Sequence, residues 1–117
     1  MLAPVNSMDS LRLALRQFAA ERDWDQFHSP KNLAIALSIE ASELLEHFQW
    51  MAETDSNLLP PEKLNQVRDE MADVLIYLVR MADKLGVDLL EASSKTLAVN
   101  AKKYPAEKVR GSAKKYT

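Results

Sequence analysis

Proline and glycine divide this chain into pieces of helical length. The 117 residues contain two glycines and five prolines. Pro30, the Pro60-Pro61 pair, Gly86 and Pro105 separate long stretches rich in Ala, Leu, Glu and Lys. Those residues are strong helix formers, and a chain so short of turn residues is poorly punctuated for a sheet. The expected fold class is all-α, a four-helix bundle-like arrangement, and the length suits one domain with a real core rather than two.

Apolar spacing locates the helices. Leu11, Ala14, Leu15 and Phe18 recur at i, i+3, i+4 and i+7 and predict a first helix over Asp9 to Asp23. Ser29-Pro30 is a strong helix start, because Ser can accept from a free backbone N–H and Pro at the first position lacks its own. The second helix is predicted from Pro30 to Ala52, with Leu33, Leu37, Leu44, Phe48 and Met51 on one arc and Ile35 and Ile39 elsewhere. Being apolar nearly all round, it is expected to be central and partly buried between subunits. Pro60-Pro61 and Glu62 open a third helix that stops at Gly86, with a core stripe of Leu64, Val67, Met71, Val74, Leu75, Leu78 and Ala82. Asp88 and Glu91 form a capping-box-like start to a fourth, which Pro105 ends near Tyr104. Residues 1–8 read as a flexible leader, 9–105 as the domain, and 106–117 as a basic, extended tail.

Charge and composition exclude several functions. A formal net charge of −2 offers no basic excess of the kind that duplex nucleic acid or a membrane surface attracts. With no cysteine, the chain has no disulfide, thiolate zinc site or cysteine nucleophile, and a cytoplasmic location is the expectation. No apolar run has the length of a membrane span, and the N-terminus lacks the pattern of a secretory signal.

The informative residue is Glu40, which falls on the arc of Leu33, Ala36 and Met51 rather than on a solvent face. An unpaired carboxylate there is costly and needs compensation. Glu43 lies one turn on, and the third helix repeats the arrangement with Glu70 and Asp73 beside its core stripe. Spacing of this kind alone is also met by surface acids in i, i+4 pairs. Two paired motifs, one with a member on a buried stripe, point instead to convergence between packed helices. Four such carboxylates repel unless protons or cations neutralise them, and an all-oxygen donor set suits a hard divalent cation, magnesium in particular. A di-iron carboxylate bundle is a rival reading, raised by His47 one turn beyond Glu43. That architecture needs Glu-x-x-His on two helices, whereas here the spacing is four and the third helix has no histidine.

Several blocks together resemble a known family: Phe18-Ala-Ala-Glu-Arg-Asp-Trp-Asp-Gln-Phe-His28, Glu40-Ala-Ser-Glu43-Leu-Leu-Glu46 with Phe48-Gln-Trp50, Glu70-Met-Ala-Asp73-Val-Leu-Ile-Tyr-Leu78, Asn100 to Pro105, and the Lys115-Tyr116-Thr117 ending. Over nearly its whole length the chain is similar to the MazG-like, all-α nucleoside triphosphate pyrophosphohydrolases, and among them to the dCTP pyrophosphatase branch. The resemblance implies cleavage between the α- and β-phosphates to a monophosphate and pyrophosphate, with Glu40, Glu43, Glu70 and Asp73 as magnesium ligands and no covalent protein intermediate. It implies dCTP or modified cytosine nucleotides as substrates and a homotetramer, with a dimer next.

The resemblance also places Trp24, His28, Trp50 and Tyr77 around the nucleotide, although each equally suits a packing role. It makes Asn100, Lys103 and Tyr104 substrate-binding, with Lys103 a counter-charge for phosphate. The branch commonly carries a lysine four residues before this asparagine; here Thr96 stands there, with Lys95 adjacent. Lys115 and Tyr116 match an ending that can close over a site. The alternative of another class is a catalytically silent oligomeric scaffold or nucleotide-binding regulator, against which the intact carboxylate set argues.

Overall fold

The computed structural model describes residues 4–113. They form five α-helices in chain order: α1 Met8–Glu21, α2 Pro30–Glu46, α3 Pro61–Leu85, α4 Leu89–Lys103 and α5 Ala106–Val109. Short 3-10 turns occupy Asp25–Phe27 and Glu53–Asn57, and the described residues contain no strand. The chain divides after Gly86 into two compact units, one holding α1 to α3 and the other α4 and α5.

Three helices start where a side chain satisfies free backbone donors, whereas α3 and α5 follow Pro60 and Pro105 without a side-chain cap. Ser7 and Ser10 form a reciprocal capping box at α1. Ser29 Oγ accepts from the Asn32 N–H at 3.1 Å, with Pro30 as the first residue of α2. Asp88 caps α4 by accepting from the Glu91 N–H at 3.0 Å, while the Glu91 carboxylate pairs with Lys95 at 2.8 Å. Gly86, at φ 68°, ends α3 in the left-handed conformation that residues with a Cβ adopt at a cost.

The helices depart from expectation in three places. α1 spans Met8–Glu21 rather than Asp9 to Asp23, so Met8 belongs to the helix that Ser7 caps and not to a leader. α2 ends at Glu46, not Ala52: the His47 and Phe48 N–H groups turn to the carbonyls three residues back, at 3.3 and 2.9 Å, and the chain leaves as a run of tight turns through Trp50. Apolar spacing continues past the true end, and neither glycine nor proline marks it. In the tail, Ala106–Val109 is not extended but makes one helical turn after Pro105, with the Val109 N–H donating to the Pro105 carbonyl at 3.1 Å.

In the first unit α2 and α1 both pack against α3. The core is small: among the described residues Ala14, Ala19, Leu33, Val67, Val79 and Ala82 are buried, and Leu33 is the one large side chain removed entirely from solvent. The alanines let the helix backbones approach. The rest of the tie between α1 and α3 is ionic. Asp83, with its side chain 7% exposed, accepts from Arg16 at 2.6 and 3.1 Å and from Arg12 at 3.2 Å.

The inward face of α3 is rotated from the stripe expected for it. Val67 and Ala82 are buried, but Leu64, Met71, Leu75 and Leu78, which share a face at spacings of seven, four and three, are between 37% and 57% exposed. On α2, Ile35 and Ile39 are half exposed as well. The richer apolar face of α3 thus points out of the unit. Its inner face instead carries Val67, Glu70, Val74 and Tyr77, all buried or half-buried, so Glu70 lies within the inner stripe rather than beside it.

Candidate active site

The carboxylates meet where α2 packs on α3. Glu40, Glu43 and Glu70 are half-buried, and each offers one oxygen to a group whose members all lie within 4.8 Å of one another. Glu40 and Glu43 project together because they are one turn apart on α2. Asp73, one turn after Glu70, is exposed and stands outside that group of three, yet close enough for its charge to raise the Glu40 pKa.

This assembly is electrostatically unbalanced. The Oε2 atoms of Glu40 and Glu70 are buried with no hydrogen-bond partner. A carboxylate has no proton to donate, so two ionised neighbours leave each other unsatisfied; a proton on Glu70, donated to Glu40, creates one hydrogen bond. Glu70 is accordingly pushed up to about 8, first by that hydrogen bond, then by desolvation and Glu43. For Glu40 the hydrogen bond from Glu70 pulls downward, but desolvation with Glu43 and Asp73 together holds it above the usual carboxylate range. Orphaned, desolvated, all-oxygen donors fit a hard divalent cation, which replaces the missing donors with positive charge. No histidine belongs to the cluster, since His47 Nδ1 lies 3.3 Å from Lys63 Nζ, and the di-iron arrangement finds no support.

The aromatic residues singled out by sequence are positioned by backbone motifs. α1 ends in a six-residue Schellman turn: the Trp24 N–H donates to the Ala19 carbonyl at 2.9 Å and the Asp23 N–H to that of Ala20 at 3.1 Å. Asp23 takes the left-handed position at φ 53°. The same turn brings Trp24 edge-on to Phe18, with ring centroids 5.8 Å apart, and Arg22 lies over the Phe18 ring at 3.6 Å. Trp24 remains 45% exposed. Trp50, on the turns after α2, is 91% exposed. Tyr77 is half-buried, one turn beyond Asp73 on α3.

His28 is half-buried at the end of the Asp25–Phe27 turn, and Arg80 holds it. Arg80 Nε–H donates to His28 Nδ1 at 3.1 Å, and its terminal nitrogens reach Asp25 at 2.6 Å and Asp83 at 3.5 Å. Lys84 shares Asp25 at 2.5 Å. Desolvation, with Arg80 and Lys84, lowers the His28 pKa, and the hydrogen bond from Lys84, with that from Arg80, lowers that of Asp25 despite desolvation. Sequence reasoning missed Arg80, although a signal was available. It is the one charged residue in the run Val74 to Ala82, and a cation inside an apolar run is as informative as Glu40.

Asn100 and Lys103 lie one turn apart on α4, both exposed, and the half-buried Tyr104 ends that helix by donating its N–H to the Asn100 carbonyl at 2.8 Å. All three belong to the second unit. Lys95, next to the position where the resemblance expects a lysine, is engaged by Glu91. Lys115 and Tyr116 lie outside the described residues.

Comparison with known proteins gives a consistent result. The MazG-like family profile matches residues 35–117. The chain is 43% identical to dCTP pyrophosphatase 1 of Mus musculus and 42% to that of Homo sapiens, in each case over 98% of this chain and 69% of the relative. A crystal structure of a pyrophosphatase from Archaeoglobus fulgidus superposes with a TM-score of 0.74 at 38% identity, covering 90% of this chain and 98% of that one. A profile match over most of the sequence, relatives this similar across its length and a shared fold around the paired acidic helices make this chain a member of the MazG-like family.

Proposed function

We propose that this protein is a nucleoside triphosphate pyrophosphohydrolase, cleaving the α–β phosphate bond to give a nucleoside monophosphate and pyrophosphate, with dCTP or modified cytosine nucleotides as substrates in nucleotide-pool sanitation. The observation that carries this reading is the cluster of Glu40, Glu43 and Glu70, with two buried oxygens that lack any donor. Similarity to proteins named dCTP pyrophosphatase supports the substrate.

Glu40, Glu43, Glu70 and Asp73 would hold magnesium, whose chemistry here is to neutralise the triphosphate and polarise its α-phosphorus. The carboxylates contribute by fixing the place where that charge is offered. In this reading Trp24, Trp50 and Tyr77 provide flat apolar surface for a base and His28 a polar tip, while a substrate role for Asn100, Lys103 and Tyr104 of the second unit rests on the family resemblance alone. The outward apolar faces of α2 and α3 support assembly into a homotetramer, or a dimer. A cytoplasmic location accords with the cysteine-free sequence and the free nucleotide substrate.

The deciding experiment incubates the protein with each deoxynucleoside triphosphate, with and without magnesium, and identifies the products. Monophosphate and pyrophosphate, formed only with the cation and fastest from dCTP, are expected. Diphosphate and orthophosphate, or no turnover, would exclude the reading.

A further inference from the structure

α3 carries a continuous polar stripe. Glu70, Asp73, Tyr77, Arg80 and Lys84 follow one another at alternating spacings of three and four, which keeps them on one side of the helix. Glu70 meets the α2 carboxylates, while Arg80 and Lys84 meet the turn that follows Trp24. Ten residues of helix separate Glu70 from Arg80, about 15 Å along the axis, a span on the scale of an extended nucleoside triphosphate. One end of the stripe is acidic and suited to a cation, and the other is cationic and holds an imidazole.

Arg80 is unusual within this stripe because it is charged, 4% exposed and fully engaged. Its guanidinium is held by Asp25 at 2.6 Å and Asp83 at 3.5 Å, and Asp83 is itself held by Arg12 and Arg16 of α1. The loop it grips is also closed from α2, where Asn32 Nδ2 donates to the Phe27 carbonyl at 3.0 Å. A buried arginine is a permanent donor with no acceptor capacity. Whatever accepts from its Nε–H must therefore present a lone pair. At 3.1 Å that acceptor is His28 Nδ1, which leaves the neutral ring one proton, on Nε2. The Nε2–H makes no hydrogen bond among the described residues.

We propose that Arg80 is a positioning residue for nucleotide recognition: by donating to His28 Nδ1 it holds the imidazole as the neutral Nε2–H tautomer, a hydrogen-bond donor for an acceptor atom on the base. This rests on the pyrophosphohydrolase reading and deepens it. An Nε2–H donor complements O2 or N3 of cytosine, both of which are acceptors. It opposes N3 of uracil or thymine, which carries a proton. Burial first keeps the ring neutral; of the charged groups facing it, Arg80 and Lys84 of α3 add to that effect and Asp25 of the turn opposes it.

The test combines a structural and a kinetic reading on the full chain. Long-range 1H–15N correlation of 15N-histidine-labelled protein reports each ring's tautomer, and His47→Gln assigns the two sets of signals. Wild type is expected to show His28 as the Nε2–H form at neutral pH. Arg80→Met should mix the tautomers, raise the His28 pKa and increase KM for dCTP about tenfold, the loss of one oriented hydrogen bond, with kcat nearly unchanged. Arg80→Lys, which restores the charge but not the Nε–H, should recover the pKa and not the tautomer. In the Arg80→Met background, His28→Ala should add little to KM. A wild-type Nδ1–H tautomer, or an unaltered KM in folded Arg80→Met or Arg80→Lys protein, would overturn the proposal. If Arg80→Met does not fold, the wild-type tautomer and the lysine variant decide it. No turnover by wild type instead removes the activity itself, and the role with it.

Discussion

Glu70 titrates near 8 beside Glu40, so the cation-free protein at neutral pH keeps a proton between two carboxylates. A carboxyl raised in the folded state favours its protonated form there. Its stability contribution is complete below the ordinary value of 4.5 and is lost as pH rises through about 8. Glu40→Gln replaces one of the repelling groups with an amide that can donate to Glu70. In the presence of a chelator, its thermal midpoint measured by circular dichroism should lie above that of wild type, with a shallower decline from pH 5 to pH 8. Magnesium-dependent turnover of the same variant should fall by more than about 100-fold, because it deletes a ligand and not merely a ligand's support. A lower midpoint would mean that Glu40 has a structural partner.

At the scale of elements, two features join the helices to the site. The Schellman turn after α1 aims Trp24, and it does so with Asp23 at a left-handed backbone position. A β-branched residue there is strained, so Asp23→Val should cost about 1–2 kcal/mol in urea unfolding. It should also raise KM for the nucleotide by displacing Trp24. The second feature is Asp83, whose pKa is lowered first by its hydrogen bond from Arg16 and, despite desolvation, by Arg12. A depressed carboxylate contributes stability that is present above its unfolded value of 3.8 and is lost as pH falls through the lower folded one. Asp83→Asn should therefore destabilise by about 1 kcal/mol at neutral pH, since it trades charged for neutral hydrogen bonds to the part-exposed Arg12 and Arg16. The variant should also lack part of the acid-induced loss seen in wild type below about pH 4, as followed by urea unfolding across pH.

For the whole molecule, the decisive quantity is apolar surface. Among the described residues a single large side chain is buried completely, and Leu64, Met71, Leu75 and Leu78 lie open along one face of α3. Contiguous exposed stripes of this kind are covered in assemblies. Sedimentation equilibrium should give a multiple of the 13.2 kDa chain mass, and Leu64→Glu should shift the distribution toward the monomer. A wild-type monomer at micromolar concentration would leave the exposed stripe without a self-association role. The expected core stripe of α3 mixed this outward face with the inward one because periodicity records apolar residues whatever covers them. A helix with two apolar sides gives no indication of which one its own chain will use.

Local chemistry was legible in the sequence. The Ser29-Pro30 start, the Pro61 start, the Gly86 stop and the Asp88 cap each depend on a few neighbouring residues, and so does the spacing that puts Glu40 beside Glu43. The end of α2 was not, because a switch to three-residue hydrogen bonding needs no marker residue. Nor was the grip of Arg80 on His28, which joins residues 52 apart in the chain. The acids on α2 and α3 followed the same division. Their spacing within each helix is a property of 3.6 residues per turn, readable from the sequence alone. That Glu70 faces Glu40 with two oxygens bare depends on how α3 is rotated against α2, and only packing settles that rotation.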